Sequence, residues 1–395
     1  MVKTHSRLLL SAIAVVLMVG KGPPRHAQEP HDNPFEFFAP WIVVSAAERE
    51  GLDRNQVLTR VLPGKHGQLA VFVVTSLNTS PDALVAWTRA IAELKQSKFV
   101  RAVRRFSDPP TLSDLDTLTL EQRDLDAIQR CRPGDCGLKL SAGEIESLAA
   151  VRATAGAEWR NAVQREFRRL LLQRVQLYRA GGLAALPPLA DRGKPRRLDD
   201  ALAAIVEQSP YLARLPDVAS WLQRYPYADA GLESFFYWSN EHYGEGKPVI
   251  SVTHVGIVRP ASDRRLPAIL VAGKQIFATH YVEGGLGLTM LLHNAANGGL
   301  YLVYVNRTEL DLLKGFVGVF ARRILEGRIE RQAPQIVSGL RTRLESGAPS
   351  DDPLSPWSTV EGIGHSRFER SERRPQARIR FLRHLLQPLI LPHDP

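Results

Sequence analysis

The hydrophobic pattern of the first folded segment changes from strand to helix and back to strand. Residues 68–76 are a short run rich in β-branched residues. Ser80 and Pro81 then supply a good helix N-cap and a favourable first helical residue. We expect a helix from there to about Leu94 and a second strand over 99–106. The front of the chain therefore predicts the order strand, helix, strand.

A block of helical patterns follows. Ser141 and Glu144 form a capping-box pair, and an apolar stripe with helical spacing continues from there to Gly181 and Gly182. We expect one long helix over this stretch and shorter helices, separated by prolines, after it. The block, residues 111–232, is interpreted as a helical insertion into the surrounding domain.

From Glu233 the apolar positions recur at every second residue, which is typical of strands. Gly, Asn or Pro separates several such runs, at a spacing typical of an antiparallel meander. The glycine-rich stretch 284–287 is expected to be a tight turn between two strands. From Leu310 to about Glu345 the pattern becomes helical again. The predicted fold class is therefore α+β, an antiparallel sheet with a long C-terminal helix and a helical insertion.

The chain begins with a segment typical of export. Two basic residues precede an apolar run, 8–20, which has no acidic residue and is shorter than the roughly 20 residues of a transmembrane helix. Residues 1–27 are interpreted as a signal peptide. An uncleaved membrane anchor is the alternative, because cleavage after Gly20 or Ala27 places a large residue where a small one is needed. Both interpretations predict a location in the cell envelope: a periplasmic or exported protein, or one anchored to the inner membrane.

The rest of the chain divides into a domain and a tail. Residues 34–346 are expected to form one α+β domain, and residues 347–395 a linker and a basic tail. Within the tail, 377–391 mixes Arg with apolar residues. This segment is expected either to lie on an anionic membrane surface as an amphipathic helix, or to stay disordered or docked on its own domain.

Composition and charge exclude little, but they argue against nucleic acid. The 395-residue chain is 44% hydrophobic and 23% charged, which is ordinary for a globular protein. Its formal net charge of +10 is concentrated in the leader and the tail, so the middle of the chain is closer to neutral. No zinc finger, basic zipper or RNA-binding aromatic motif accompanies the charge. A nucleic-acid partner is not expected.

The two cysteines predict a disulfide. Cys131 and Cys136 bracket Arg-Pro-Gly-Asp, a turn-forming sequence that can bring the two sulfurs together. A disulfide is the natural state of such a pair in an oxidising compartment, and two unpaired thiols are the alternative. The spacing does not match a redox or haem-attachment motif.

Two segments, 69–91 and 299–344, contain a strand, a Pro-started helix, and a strand that leads into a long closing helix. With the antiparallel strands between them, this order resembles the helix-grip fold of START and polyketide-cyclase-like lipid-binding proteins over about half of the chain. The resemblance implies a hydrophobic ligand cavity between sheet and helix. A second resemblance, to a family of exported bacterial proteins of unknown function, rests on the cysteine pair and on three short phrases. These phrases are 236–239, 274–276 and 304–307.

The first functional hypothesis is therefore the binding or transport of a lipid-like hydrophobic ligand, with no cofactor. Lys274 and Arg307 are cations in apolar strands, and each is expected either to point inward towards an acidic head group or to lie on the solvent face. The aromatic stretch 237–243 is expected to be a loop that rims the ligand site or packs on the core. The candidate ligand contacts are Trp238, Lys274, His280, Tyr281 and Arg307.

The second hypothesis is a metal-assisted hydrolase, and a structural or interaction role in the envelope is the third. His254 and His280 are expected on the same side of neighbouring strands, with Glu283 nearby, as a His/His/carboxylate metal set. Histidines hydrogen-bonded within the core are the alternative. The sequence has no Gly-x-Ser-x-Gly nucleophile motif. Whether the protein is an enzyme stays open.

Overall fold

The computed structural model describes residues 33–65, 67–228, 231–242, 246–260, 263, 265–294, 297–315 and 318–349. The predicted signal peptide or anchor, 1–27, lies outside the described residues. So does the predicted basic tail from residue 350 onward.

Eight strands of the described residues form one antiparallel sheet, which confirms the α+β class. They are β1 (Leu58–Leu62), β2 (Gln68–Leu77), β3 (Val100–Arg105), β4 (Glu233–Glu241), β5 (Val249–Val258), β6 (Ile269–Ala278), β7 (Val282–His293) and β8 (Leu300–Leu310). Their order across the sheet is β1-β2-β8-β7-β6-β5-β4-β3. Strands β4 to β8 are thus an antiparallel meander, and β2 joins it by pairing with β8.

The α-helices are α1 (Ala46–Asp53), α2 (Pro81–Arg89), α3 (Ile91–Leu94), α4 (Gln122–Ile128), α5 (Ala142–Thr154), α6 (Trp159–Gly181), α7 (Leu198–Glu207), α8 (Pro216–Arg224) and α9 (Gly318–Glu345). Short 3-10 helices are Pro34–Phe38, Leu112–Leu115, Gly156–Glu158, Leu183–Ala185, Pro210–Arg214 and Asp311–Leu313. Helices α4 to α8 all lie between β3 and β4. Within the described parts of the chain, no helix is both long enough and apolar enough to cross a membrane.

Both faces of the sheet are buried, so the molecule has three layers. Helices α2 and α9 pack on one face, in a core that contains Val73, Val255 and Leu302. The helices between β3 and β4 cover the other face, in a core that contains Phe72 and Val252. Because successive side chains of a strand point to opposite faces, adjacent residues such as Phe72 and Val73 enter different cores.

The C-terminal helix is long but begins later than the sequence predicts. Strand β8 continues to Leu310 because it pairs along its length with both β2 and β7. Helix α9 therefore begins only at Gly318, and it packs against β1, β2 and α2. It buries Val337 and Leu344, whereas Phe320 and Ile336 stay exposed.

Two local predictions are wrong at glycines. The glycine-rich stretch 284–287 is not a turn, because it lies inside β7 and pairs with β6 and β8. A Cβ atom at Gly284 would lie 2.9 Å from the Cβ of Ala201, so the missing side chain allows α7 to approach the sheet closely. The expected single helix from 141 to 181 is two helices, separated at Gly156, whose φ is +54°.

Candidate functional site

Three buried basic residues form a row across the sheet. His254 of β5 pairs with Lys274 of β6, and Leu286 of β7 lies between Lys274 and Arg307 of β8. The three basic side chains are no more than 5% exposed and face the helices that lie between β3 and β4. Lys274 and Arg307, two of the predicted ligand contacts, therefore point inward and not to solvent.

The Lys274 ammonium group lies at the C-terminal end of α8. Its Nζ donates to the carbonyl oxygens of Leu222 at 2.9 Å and Trp221 at 3.4 Å. The rings of Tyr178, Trp221 and Tyr225 lie at 5.2, 4.9 and 5.6 Å from Nζ, where aromatic faces attract a cation. Burial lowers the pKa of Lys274 to about 7, so this amine changes charge near neutral pH.

The His254 imidazole is enclosed by aromatic rings. It stacks on Phe236 with 4.3 Å between ring centroids, and its Nδ1 lies 3.1 Å from the hydroxyl oxygen of Tyr178. Burial lowers the pKa of His254 well below its usual value, and the charges of Lys274 and Arg179 lower it further. The ring is therefore neutral at pH 7 and hydrogen-bonded within the core.

His280 and Tyr281 belong to the turn between β6 and β7 and not to the predicted strand face. His280 Nε2 lies 2.9 Å from Asp124 Oδ1 of α4, and both side chains are buried. The φ of Tyr281 is 61°, a left-handed conformation that is uncommon for a residue other than glycine. Its hydroxyl oxygen accepts the backbone N–H of Lys247 at 2.9 Å. The turn is thereby attached to α4 and to the segment before β5.

Glu283 belongs to a buried group of charges that we term the Lys139 cluster. The Nζ of Lys139 lies 3.1 Å from Asp311, 3.6 Å from Glu283 and 3.8 Å from Asp191. All four of these side chains are less than a tenth exposed. The cluster comprises Lys139, Asp191, Arg192, Arg196, Glu283, Asp311 and Lys314.

Two opposing effects act on the Glu283 carboxyl. Burial raises its pKa, whereas a hydrogen bond from Lys314 and the positive charges of Lys139 and Arg196 lower it. The cations prevail, and the net pKa of Glu283 is lowered. The carboxylate is therefore ionised at neutral pH and lies among basic neighbours.

The structure does not bring the predicted metal ligands together. His254 faces an aromatic enclosure, His280 pairs with Asp124, and Glu283 contacts the cations of the Lys139 cluster. Across the described ranges, no group of three His, Cys, Asp or Glu side chains is positioned to hold a metal ion. The expected convergence fails because His280 follows the end of β6 and no longer alternates with its residues.

Trp238 lies in a strand, and the loop expected over 237–243 is strand β4 as far as Glu241. The sequence prediction is wrong here because β4 pairs with β3 on one side and β5 on the other. Trp238 is 1% exposed, and its indole Nε1 donates to the carbonyl oxygen of Asp114 at 2.8 Å. It fixes the 3-10 helix Leu112–Leu115 to the sheet.

A cleft of about 530 Å³ opens between α5 and α6. The first turn of α5 forms one wall, the outer side of α6 another, and a proline-rich loop before α7 the third. Gly143 faces open space, since a Cβ atom built there meets nothing within 4 Å. Arg169, Gln173 and Ser147 supply polar groups. The apolar lining is Ala142, Leu170, Leu177, Pro187, Pro188, Ala190 and Pro195.

A buried ion pair forms the base of this cleft. The Nη2 of Arg174 lies 2.7 and 2.5 Å from the two carboxylate oxygens of Glu144, and its Nε donates to one of them at 3.1 Å. Glu144 also accepts the backbone N–H of Ser141 at 2.7 Å, which completes the predicted capping box. Both charges are thus matched, and they hold α5 rigidly on α6.

Sequence reasoning missed this cleft because it predicted one continuous helix where two helices form its walls. The available signals were Gly156, which separates α5 from α6, and the adjacent prolines 187 and 188. Apolar periodicity indicates which side of a helix is buried. It does not indicate a gap between two helices.

The predicted disulfide between Cys131 and Cys136 is confirmed. Its loop is attached to the segment that ends the cleft wall, because Gly134 N–H donates to Ala190 O at 2.7 Å and Cys136 N–H donates to Asp191 O at 2.9 Å. The disulfide loop thus positions Asp191 within the Lys139 cluster.

The fold and the cleft together define an α+β protein with a ligand-sized recess in its helical layer. The sequence matches no model of a known protein family, and a search of curated proteins finds no match either.

Proposed function

We propose that the protein binds a lipid-like hydrophobic ligand in the cell envelope, and that the cleft between α5 and α6 receives this ligand. The observation that carries the proposal is the size and lining of the cleft. Small-molecule sites typically measure about 300–1,000 Å³ and have mostly apolar walls with a few polar groups. The cleft, of about 530 Å³, has such walls and a few polar side chains.

Burial of apolar groups in this cleft would contribute favourably to ligand binding. Each methylene group removed from water contributes about 0.8 kcal/mol, so about eight buried methylenes contribute roughly 6 kcal/mol before the cost of association. The matched Glu144–Arg174 pair adds no uncompensated charge to the base of the site. Ligand affinity is therefore expected to increase with acyl chain length.

The location in the envelope rests on sequence features and on the disulfide. Disulfides form and persist in oxidising compartments, and the leader 1–27 has the pattern of an exported protein. Peripheral membrane contact through the basic tail belongs to the same proposal, because a basic amphipathic segment is attracted to anionic lipid.

The test is native mass spectrometry of the full chain, purified gently after expression for export, with metal analysis of the same sample. We expect a retained mass of lipid size. Gly143→Leu should reduce the retained ligand at least tenfold, because leucine fills the open space above residue 143. Leucine also favours helix over glycine, so the variant is expected to fold.

Gly339→Leu is the matched control, since Gly339 is another helical glycine with open space around its Cβ position, but it lies on α9. Equal retention by both variants would contradict a ligand in the cleft. Stoichiometric metal without lipid would favour the hydrolase hypothesis instead, and a protein without either would favour a structural role.

A further inference from the structure

Arg307 has a buried guanidinium group whose Nε atom lacks a hydrogen-bond partner in the described part of the chain. It is 5% exposed, and its Nη1 donates to the carbonyl oxygen of Pro63 at 3.0 Å and lies 3.4 Å from Gln208 Oε1. Among the described residues, neither Arg307 Nε nor the neighbouring Gln208 Nε2 has a hydrogen-bond partner. Each of these two contacting side chains therefore has an unsatisfied buried N–H donor.

Several other buried basic residues of this protein are paired with carboxylates. Arg174 forms an ion pair with Glu144, and Lys139 lies among three carboxylates. Arg307, by contrast, forms no ion pair within 4.0 Å with any carboxylate of the described residues. Its neighbours across the sheet, Ala70 and Leu286, are apolar. An opposite charge is therefore missing from its immediate surroundings.

Lysine and arginine differ in how they respond to burial without a carboxylate partner. Lys274 lies in the same row without a carboxylate, but its pKa of about 7 allows it to lose its charge. Burial also lowers the pKa of Arg307, but an arginine pKa starts so high that the guanidinium stays protonated. A buried cation that cannot be neutralised is strongly unfavourable unless an anion pairs with it.

We propose that Arg307 and Gln208 form a carboxylate-binding site beneath the connection between β1 and β2. The Nε–Nη2 edge of a guanidinium pairs side-on with the two oxygens of a carboxylate, and the Nε atom of this edge is the unpartnered one. Gln208 Nε2 supplies a further donor. This site is separate from the cleft and goes beyond the function proposed for it.

The site lies close to the surface. Pro63, Gly64 and Lys65, which cover it, are exposed, and Gln208 is only partly buried. On that surface, Lys65 and Glu207 pair with each other at 2.8 Å and do not pair with Arg307. A small acid or the acid group of a longer molecule would therefore meet one net positive charge.

The test measures the thermal unfolding midpoint (Tm) of the full chain at constant ionic strength while acetate or octanoate replaces chloride. A ligand that binds only the folded state raises Tm in a saturable manner. We expect a saturable rise for the wild type and its loss in Arg307→Gln. Gln208→Leu, a change at a partly exposed position that is expected to fold, should weaken the apparent affinity several-fold. Arg60→Gln, which removes a partly exposed arginine of β1 paired with Glu48, should keep the wild-type response.

Acetate and octanoate distinguish the possible sources of the carboxylate. Similar affinities would indicate a small free acid, whereas at least tenfold tighter binding of octanoate would indicate the acid group of an apolar molecule. Gly143→Leu should leave the Arg307-dependent response unchanged, so a failure of the cleft proposal is distinguishable from a failure here. An identical Tm response in the wild type, Arg307→Gln and Gln208→Leu would overturn the site.

Discussion

At the residue scale, the row His254–Lys274–Arg307 presents three ways of burying a base. His254 is neutral and stacked on an aromatic ring, Lys274 is held by carbonyl oxygens and aromatic faces, and Arg307 keeps its charge with one edge unused. Each arrangement follows from the intrinsic pKa of the group and from its neighbours. Protonation of single side chains in this row is therefore expected to change the stability of the folded protein.

Lys274 should make the protein more stable as the pH rises above neutral. Its pKa is about 7 in the folded protein and about 10.4 in an unfolded chain, so the unfolded state binds more protons between these values. The free energy of unfolding should then rise by up to about 1.4 kcal/mol per pH unit from pH 7 to pH 10. Urea unfolding at these pH values measures the difference in the free energy of unfolding between the wild type and Lys274→Met. A difference that does not change with pH would contradict the charge assignment.

Single residues were predictable only in part. The sequence predicted that Lys274 and Arg307 lie in apolar strands, and strand alternation indicated two possible faces for each. Both faces are covered, and α7 and α8, which contact Lys274 and Arg307 on their face, come from distant parts of the chain. His280 was misplaced because a turn ends the alternation two residues before it.

At the element scale, the contact between α7 and β7 depends on the glycines of β7. Gly284 faces Ala201 and Ile205 of α7 at distances that leave no room for a side chain. Gly287 points to the side of Tyr304, where a Cβ atom would have ordinary contacts of 3.5 Å or more. The same strand thus contains one glycine that the packing requires and one that it does not.

Gly284→Ala should destabilise the protein by about 1–3 kcal/mol, because the new methyl group overpacks the interface with α7. Gly287→Ala is the matched control and should change the free energy of unfolding by less than about 0.5 kcal/mol. Chemical unfolding of both variants tests the assignment. Equal effects of the two changes would mean that α7 does not limit the space at residue 284.

The elements themselves were mostly predictable from local pattern. Strand periodicity, the Ser80 cap and the Ser141–Glu144 capping box each indicated elements that the structure contains. The errors at 237–243 and 284–287 have one cause. Glycine and polar residues are typical of turns, whereas pairing with strands on both sides keeps these segments extended.

At the scale of the whole molecule, the Lys139 cluster joins segments that are far apart in the sequence. Lys139 follows the disulfide loop, Asp191 lies in the loop before α7, and Glu283 and Asp311 lie in β7 and after β8. The backbone N–H of Lys139 also donates to Thr279 O at 2.9 Å. The cluster therefore holds the helical layer against one end of the sheet.

Glu283→Gln should destabilise the folded protein by about 3–5 kcal/mol at pH 7, because it leaves buried cations without one of their partners. The lowered pKa of Glu283 also means that its stabilising contribution is present above its unfolded pKa and is lost as the pH falls below that value. The loss of stability between pH 7 and acid pH should therefore be smaller in the variant. Guanidinium unfolding at several pH values measures both effects.

Glu207→Gln is the appropriate comparison, because Glu207 pairs with Lys65 at the surface and both side chains are largely exposed. It should change stability by less than about 1 kcal/mol. If the two variants are equally stable, the buried position of Glu283 has no energetic consequence.

The arrangement of the whole molecule was the least predictable level. The fold class follows from local patterns, but the pairing of β2 with β8 and the position of the helical layer depend on contacts between distant residues. The cleft is a product of those contacts. The resemblance to helix-grip proteins and the export of the chain stay predictions.

The pairing of β2 with β8 also affects how the chain can acquire its fold. Val71 of β2 pairs with Asn306 of β8. Strand β2 therefore cannot complete its pairing until β8 has been synthesised. Until then the apolar residues of β2 lack one of their two neighbouring strands and are prone to aggregate. Contacts of such high sequence separation are slow to form. The export proposed above would be compatible with this order of events, because a translocation channel accepts an unfolded chain.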